Sequence, residues 1–184
     1  MMKATIVIGS AREEGNTEAQ SQAAADALRE SGFEVEILRP YRMHIKHCEG
    51  CNRCVDEMSC YIKDDMQVIY DAYDDSDLFI LATPVYFSGP SSIIKQVIDR
   101  FQCRWVSVDE PETSKCVALI CNGGSRNPRF ESVISVARAF AFATRCRWLG
   151  ESLVEGTDDN DISRVSKEGY RFGLALANMI KDSD

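Results

Sequence analysis

The sequence predicts a single α/β domain built on a doubly wound parallel sheet of five strands. Three observations predict it: apolar runs alternate with helical patterns, five such pairs follow one another, and the apolar runs contain few polar residues. Strands of that kind are buried on both faces, as in a parallel sheet covered by helices. A chain of 184 residues suits one such domain, so we expect residues 1–184 to form one unit.

The predicted strands and helices alternate regularly along the chain. Strands are expected at 4–8, 34–38, 78–82, 117–121 and 148–154, and helices at 17–30, 65–74, 90–103, 128–144 and 162–181. Thr17 and Gln20 form a capping-box pattern at the start of the first helix. The fourth helix is expected to begin at Pro128, after a cap at Asn127. The one long interruption, about 39–64, is an insertion rich in cysteine.

Five βα units in this length predict the strand order 2-1-3-4-5, which is the flavodoxin-like three-layer arrangement. Ligands of such sheets bind beyond the carboxyl ends of the strands, where the strand order reverses. Three loops are expected to lie there, at 9–17, 83–89 and 122–127. We therefore expect these loops to converge on one ligand.

The first of these loops, GSAREEGNT at 9–17, predicts a phosphate site. Backbone N–H groups at a helix N-terminus favour an anion. No lysine follows Gly15 as in a Walker A loop, and Gly9 and Gly15 are too far apart for a dinucleotide fingerprint. A terminal monophosphate bound without magnesium fits best, and an ordinary turn before a capped helix is the alternative. The side chains that can bind the phosphate are Ser10, Arg12, Asn16 and Thr17.

The pattern G-S-x-R-x-x-G-N-T resembles the FMN-binding loop of the NADPH-dependent FMN reductase family, within the flavodoxin superfamily. Residues 82–89, ATPVYFSG, resemble that family's loop after the third strand, and a helix ending Ile98-Asp99-Arg100 follows. The resemblance implies non-covalently bound FMN, with its phosphate on 9–17 and its ring against 83–89. The implied phosphate-side contacts are Ser10, Arg12, Gly15, Asn16 and Thr17.

The chemistry of the second loop agrees with a ring contact. Thr83-Pro84 favours an extended exit from the strand, and Gly89-Pro90 allows close approach of the backbone and is expected to start a helix. Backbone N–H groups there could tune the flavin's potential. The expected contacts are Pro84, Val85, Tyr86, Phe87, Ser88 and Gly89. For the two aromatic residues, half-buried loop positions are the alternative interpretation.

The third loop contains paired glycines after the fourth strand. They permit close approach to a flavin but are equally compatible with a plain turn. The expected contacts are Asn122, Gly123 and Gly124. Arg126 is interpreted as a solvated side chain rather than a ligand of a nicotinamide phosphate.

The acidic balance of the chain, with a net charge of −8, argues against a nucleic-acid partner. No apolar run is long enough to span a membrane, and the N-terminus has no signal-peptide pattern. The sequence therefore predicts a cytoplasmic protein with no membrane partner.

Four of the eight cysteines cluster as Cys48-x2-Cys51-x2-Cys54-x5-Cys60. Overlapping C-x-x-C steps are more typical of iron–sulfur ligation than of a zinc ribbon. The run also resembles the compact motif of iron–sulfur flavoproteins, which implies a [4Fe-4S] cluster on these four residues. Zinc, a disulfide and free thiols stay open as alternatives. The other cysteines are expected to be small buried apolar residues: Cys103, Cys116, Cys121 and Cys146.

The leading hypothesis is an FMN-dependent oxidoreductase. NAD(P)H would pass a hydride to the bound FMN, which would pass electrons to a small acceptor such as a flavin or a quinone. No catalytic residue is expected because the flavin carries the chemistry, although Tyr86 is a candidate for shaping the acceptor site. The alternative is an electron-transfer protein in which the FMN exchanges electrons with the cluster and with a ferredoxin-like partner. The resemblance also implies a homodimer or homotetramer, for which residues near Trp105 and the cysteine segment are candidates.

Overall fold

Buried apolar strands form the centre of the molecule, because the side chains of the inner strands are covered on both faces. The structure, a computed structural model, describes residues 1–106, 114–159 and 161–182. The strands are β1 (Lys3–Ile8), β2 (Glu34–Leu38), β3 (Leu78–Tyr86), β4 (Gly89–Pro90), β5 (Cys116–Asn122) and β6 (Arg147–Val154). The helices are α1 (Asn16–Glu30), α2 (Arg53–Glu57), α3 (Met66–Asp75), α4 (Ser92–Arg100), α5 (Gln102–Val106), α6 (Glu131–Ala143) and α7 (Ile162–Lys181).

The five long strands pair in parallel in the order β2-β1-β3-β5-β6. Without the two-residue β4, this is the predicted order 2-1-3-4-5, and the predicted α/β class is confirmed. The register pairs Ala4 with Leu78, and Leu78 with Cys116. The carboxyl ends of β1, β3 and β5 consequently lie side by side, which is where the three predicted ligand loops begin.

The strand β4 was not predicted, and the sheet formed by the described residues therefore has six strands and one antiparallel pair. Phe87 and Ser88 both have positive φ, 48° and 61°, and form a two-residue turn that folds β4 back on β3. Pro90 thus belongs to a strand, and the expectation that Gly89-Pro90 starts a helix is wrong. The helix α4 begins at Ser92, and Ser91 caps it by accepting a hydrogen bond from the N–H of Ile94 at 3.3 Å.

The predicted helix 90–103 is also divided near its end into α4 and α5. The carbonyl oxygen of Arg100 accepts a hydrogen bond from the Tyr70 hydroxyl at 2.5 Å. The N–H of Arg104 instead donates to the carbonyl of Phe101 at 2.8 Å. This local change of partner ends the regular helical pattern after Arg100.

The helices cover the sheet in two apolar layers. One layer packs α3, α4 and α6 on the sheet around Phe79, Phe101 and Phe140. The other packs α1 and α7, with Leu28 and Leu176 in its centre. In the described part of the chain, no helix is both long enough and apolar enough to cross a membrane.

Candidate functional site

A cleft of about 530 Å³ lies beyond the carboxyl ends of the strands. That volume is within the usual range for small-molecule and cofactor sites. All the predicted FMN contacts except Gly89 and Gly123 line it: Ser10, Arg12, Gly15, Asn16, Thr17, Pro84, Val85, Tyr86, Phe87, Ser88, Asn122 and Gly124. The three loops therefore converge as the sequence predicts.

Two predicted residues lie outside this lining for identifiable reasons. Gly89 pairs with Tyr86 in the β3–β4 hairpin. Gly123 is buried, and a Cβ atom there would lie 2.2 Å from Cγ of Pro128. Pro128 therefore packs against the loop instead of starting a helix, and α6 begins only at Glu131. The cap expected at Asn127 is not observed.

The N-terminus of α1 opens into the cleft without a side-chain cap. Gly15 occupies the cap position, and no side chain in the described part of the chain bonds to the first N–H groups of the helix. The predicted capping box is therefore wrong, because Gln20 is turned inward and donates to Oγ of Ser152 at 2.8 Å. The first N–H groups of α1 remain for an anion, as a phosphate site requires.

Two buried amide oxygens at the cleft have no hydrogen-bond donor among the described residues: Oδ1 of Asn16 and Oδ1 of Asn122. Their amide nitrogens are held, since Asn16 Nδ2 donates to the carbonyl of Thr157 at 3.0 Å and Asn122 Nδ2 donates to Oε1 of Gln20 at 2.6 Å. An unpaired buried acceptor costs about 1–3 kcal/mol. Both residues line the cleft, and the hydroxyls of a ribityl chain are donors of the kind that these two oxygens lack.

Acidic residues near the phosphate loop are neutralised by arginines that follow β2. Glu18 is paired with Arg39, and Glu13 is paired with Arg42. A hydrogen bond from Tyr41, followed by one from Arg42, lowers the pKa of Glu13. These pairs reduce the repulsion that a bound dianion would meet at the N-terminus of α1.

The β3–β4 hairpin forms the opposite wall of the cleft. Ser132 of α6 donates a hydrogen bond to the carbonyl of Ser88 and so supports the turn. Tyr86 is 48% exposed, and Phe87 is fully exposed. Left-handed backbone at a bulky residue such as Phe87 is strained, and strain of this kind clusters at functional sites.

A fourth loop, after β6, also lines the cleft and was not predicted. The N–H of Thr157 donates to the carbonyl of Gly123 at 3.1 Å, and the N–H of Asp158 donates to that of Gly124 at 3.2 Å. A Cβ atom at Gly124 would lie 2.4 Å from Oδ1 of Asp158, so the two loops are in close contact. The lining residues outside the predicted set are Ser125, Asn127, Pro128, Arg129, Thr157 and Asp158. The polar residues that follow the last strand could have predicted this loop as part of the cleft, because that strand ends at the same edge of the sheet.

The cysteine motif surrounds a second, smaller cavity of about 30 Å³. Its lining contains the four predicted ligands, Cys48, Cys51, Cys54 and Cys60. Cys103, expected only as a buried apolar residue, lines the same cavity and is 3% exposed. All eight cysteines are free thiols, so the disulfide alternative is not realised here. Burial, together with the neighbouring thiol of Cys103, raises the pKa of Cys54.

The donor set around this cavity includes four thiols, the ligand type of a [4Fe-4S] cluster. Within the described ranges, no three His, Cys, Asp or Glu side chains are arranged to hold one metal ion. Four thiols on one cavity are the ligands that such a cluster requires.

A buried ion pair holds the cysteine segment against α4. Arg100 Nη1 lies 2.7 Å from Oδ2 of Asp64, and both side chains are 1% exposed. Burial acts to raise the pKa of Asp64, but hydrogen bonds from Arg100 and from the N–H of Lys46 outweigh it and lower the pKa. The pair therefore stays charged in the interior, beside the cysteine cavity.

Comparison with known proteins agrees with this geometry. A sequence profile of the NADPH-dependent FMN reductase family matches residues 2–155. An iron-sulfur flavoprotein of Methanocaldococcus jannaschii is 34% identical over 139 residues, which cover 76% of this chain and 71% of that protein. One of Archaeoglobus fulgidus is 38% identical over 99 residues, covering 54% of this chain but only 45% of that protein.

A solved structure shares the fold over almost the whole chain. The NAD(P)H:quinone oxidoreductase from Methanothermobacter marburgensis superposes with a TM-score of 0.73, covering 95% of this chain and 96% of that one. The two sequences are 14% identical. This likeness therefore shows the common fold and nothing finer.

Proposed function

The chain belongs to the NADPH-dependent FMN reductase family of flavin-dependent oxidoreductases, and we propose that it passes electrons from NAD(P)H through FMN to a small acceptor. The observation that carries the proposal is the pair of unpartnered buried oxygens, on Asn16 and Asn122, beside the uncapped N-terminus of α1. A ligand with a terminal phosphate and a hydroxylated chain satisfies all of these groups. FMN is such a ligand.

Different residues of the cleft would bind different parts of FMN. Ser10, Arg12 and the N–H groups at the start of α1 would bind the phosphate. Asn16 and Asn122 would accept from the ribityl hydroxyls. The β3–β4 hairpin would lie against the ring, where its backbone N–H groups can tune the cofactor.

The chemistry itself is supplied by the bound flavin, so the protein has to orient substrates and exclude water. Tyr86 and Phe87 present exposed aromatic area at the mouth of the cleft. Flat aromatic acceptors such as quinones and free flavins stack favourably on such area. The acceptor proposed is therefore a small planar molecule.

Anaerobic reduction tests the proposal. Purified holoprotein is mixed with NADPH or NADH, and the visible flavin absorbance is followed before and after a quinone is added. We expect at least one nucleotide to bleach the flavin and the quinone to restore its absorbance. If neither nucleotide bleaches a fully flavin-loaded sample, the proposed activity is wrong.

A second function, electron transfer through a [4Fe-4S] cluster, is supported by the four cysteines around one cavity. Cys48, Cys51, Cys54 and Cys60 would hold the cluster, and a ferredoxin-like protein would be the partner. Anaerobically purified protein should then contain about four iron and four sulfide per chain. Protein with flavin but with neither iron nor sulfide would leave only the first function.

We also propose that the chain forms a homodimer or homotetramer. Val55 in α2, Met58 directly after α2 and Trp105 in α5 are 54%, 44% and 56% exposed. Large apolar side chains exposed together are typical of protein interfaces. Light scattering on the holoprotein gives the assembly mass, and a monomer at all concentrations would contradict the proposal.

A further inference from the structure

Arg100 is an exceptional side chain in this domain. Among the described residues, it heads the fully buried side chains in volume and is 1% exposed. Arginine remains protonated inside proteins. Burial of an unpaired charge at this position would cost several kcal/mol, so neighbouring groups must compensate the charge of Arg100.

The partners of Arg100 all come from the segment that carries the cysteines. Asp64 accepts from both terminal nitrogens, at 2.7 Å and 3.2 Å. The carbonyl of Lys46 accepts at 2.8 Å and that of Ile62 at 3.4 Å. The guanidinium thus fixes both ends of the loop that contains Cys48 to Cys60.

One donor of the guanidinium remains unused. Nε of Arg100 is buried and has no acceptor among the described residues. The Arg100 side chain lines the cysteine cavity together with Cys60. An acceptor bound in this cavity would satisfy the free Nε–H, because the same side chain lines the cavity.

The charges of the pair are arranged in a definite order around this cavity. Asp64 binds the two terminal nitrogens, and Arg100, unlike Asp64, belongs to the cavity lining. The cavity is therefore next to the positive member of the pair. Thiolates and sulfides are acceptors, and a cluster held by four cysteines carries net negative charge that increases on reduction.

We propose that Arg100 tunes the iron–sulfur cluster: its Nε–H donates to a cluster or cysteine sulfur, and its charge raises the cluster's reduction potential. The proposal rests on the second function above, since it requires a cluster on Cys48, Cys51, Cys54 and Cys60. Hydrogen bonds to the sulfurs and nearby charge are two of the factors that set such potentials. Arg100 is thus a positioning residue for the cysteine loop and a tuning residue for its cofactor.

The test is an anaerobic redox titration of the cluster, followed by electron paramagnetic resonance, in wild type and three variants. Asp64→Asn removes the compensating negative charge and should raise the potential. The double variant Arg100→Gln with Asp64→Asn removes the donor without leaving a buried unpaired charge, and should lower the potential relative to Asp64→Asn. We expect this difference to reach a tenfold change in the reduction equilibrium, equivalent to about 59 mV for one electron.

Asp99→Asn is the matched control. Asp99 precedes Arg100 in α4, but its side chain is 47% exposed and is paired with Lys95. It carries the same charge change as Asp64→Asn at a solvated position, so the potential should stay at the wild-type value. If the loss of any negative charge raised the reduction potential, Asp64→Asn and Asp99→Asn would raise it equally.

The outcomes separate the tuning role from the function on which it rests. Wild-type protein that takes up no iron or sulfide overturns the cluster and, with it, the role of Arg100. Clusters that form in all proteins with equal potentials overturn the tuning role alone. If Asp64→Asn fails to fold because the buried Arg100 charge is left unpaired, the double variant is compared with wild type. A lower potential in the double variant supports the proposal, and an equal potential refutes it.

Discussion

The hydroxyl of Ser91 donates a hydrogen bond to the carbonyl oxygen of Gly9 at 2.5 Å. The N–H of Gly9 in turn donates to the carbonyl of Ala82 at 2.7 Å, and the N–H of Ser91 donates to Oγ1 of Thr83 at 3.0 Å. These buried bonds join the phosphate loop to the end of β3. They fix the distance between the two walls of the cleft before any ligand binds.

Ser91→Ala should therefore weaken both the fold and the site. The change removes the cap of α4 and leaves the Gly9 carbonyl without this donor, for a loss of about 1–3 kcal/mol. Denaturant unfolding measures the stability, and a flavin titration measures the affinity. Ser92→Ala is the control, because Ser92 is exposed one residue further on. Equal stability of the two variants would contradict this role of Ser91.

Gly9→Ala should be destabilising because the loop is packed against α4. A Cβ atom at Gly9 would lie 2.6 Å from Cβ of Ile94 and 2.9 Å from Oγ of Ser91. Overpacking of this kind typically costs about 1–3 kcal/mol. A Cβ atom at Gly89 would lie 3.7 Å from its nearest neighbour, so Gly89→Ala should have the same unfolding temperature as wild type. Thermal unfolding of the two cofactor-free proteins decides between these outcomes.

Asn122→Ala should reduce FMN affinity as well as stability. It removes the unpaired oxygen that we assign to a ribityl hydroxyl, so we expect about a tenfold loss of affinity. The variant also frees Oε1 of Gln20, to which Asn122 donates in the cofactor-free protein. Asn178→Ala, on an exposed face of α7, is the control and should bind FMN normally. An unchanged affinity in Asn122→Ala would place the ribityl chain elsewhere.

Cysteine reactivity should follow burial in the native, cluster-free protein. Burial raises the pKa of Cys121 to about 12, so the thiol stays protonated through the physiological range and only approaches ionisation near that pH. Cys51 is exposed. Iodoacetamide at neutral pH should modify Cys51 long before Cys121, as mass spectrometry of peptides can show. Equal labelling rates without unfolding would mean that Cys121 is accessible.

Local sequence patterns were sufficient to predict the five long strands and two of the loops that line the cleft. The β-branched run before Gly9 and the apolar run before Thr83 each predict a strand, and the strand order follows from the number of βα units. The turn at Phe87 and Ser88 was missed because neither residue type favours positive φ. Tertiary packing, not local preference, imposes that conformation.

Long-range partners explain the remaining differences. Gln20 has a capping-box spacing, but its side chain meets Asn122 and Ser152, more than 100 residues away in the chain. Arg100 ends a helix in the sequence pattern, and only the folded chain brings it to Asp64 and the cysteine cavity. Such contacts have no signature in a single sequence.

Comparison of two ligands shows whether loop 9–17 holds the phosphate of FMN. FMN and riboflavin share the ring and the ribityl chain and differ only in the phosphate. Titration of cofactor-free protein, followed by flavin fluorescence, should give an FMN affinity higher by about 100-fold or more, equivalent to about 2.8 kcal/mol. Equal affinities for the two ligands, or no binding of either, would mean that loop 9–17 does not hold the phosphate of FMN.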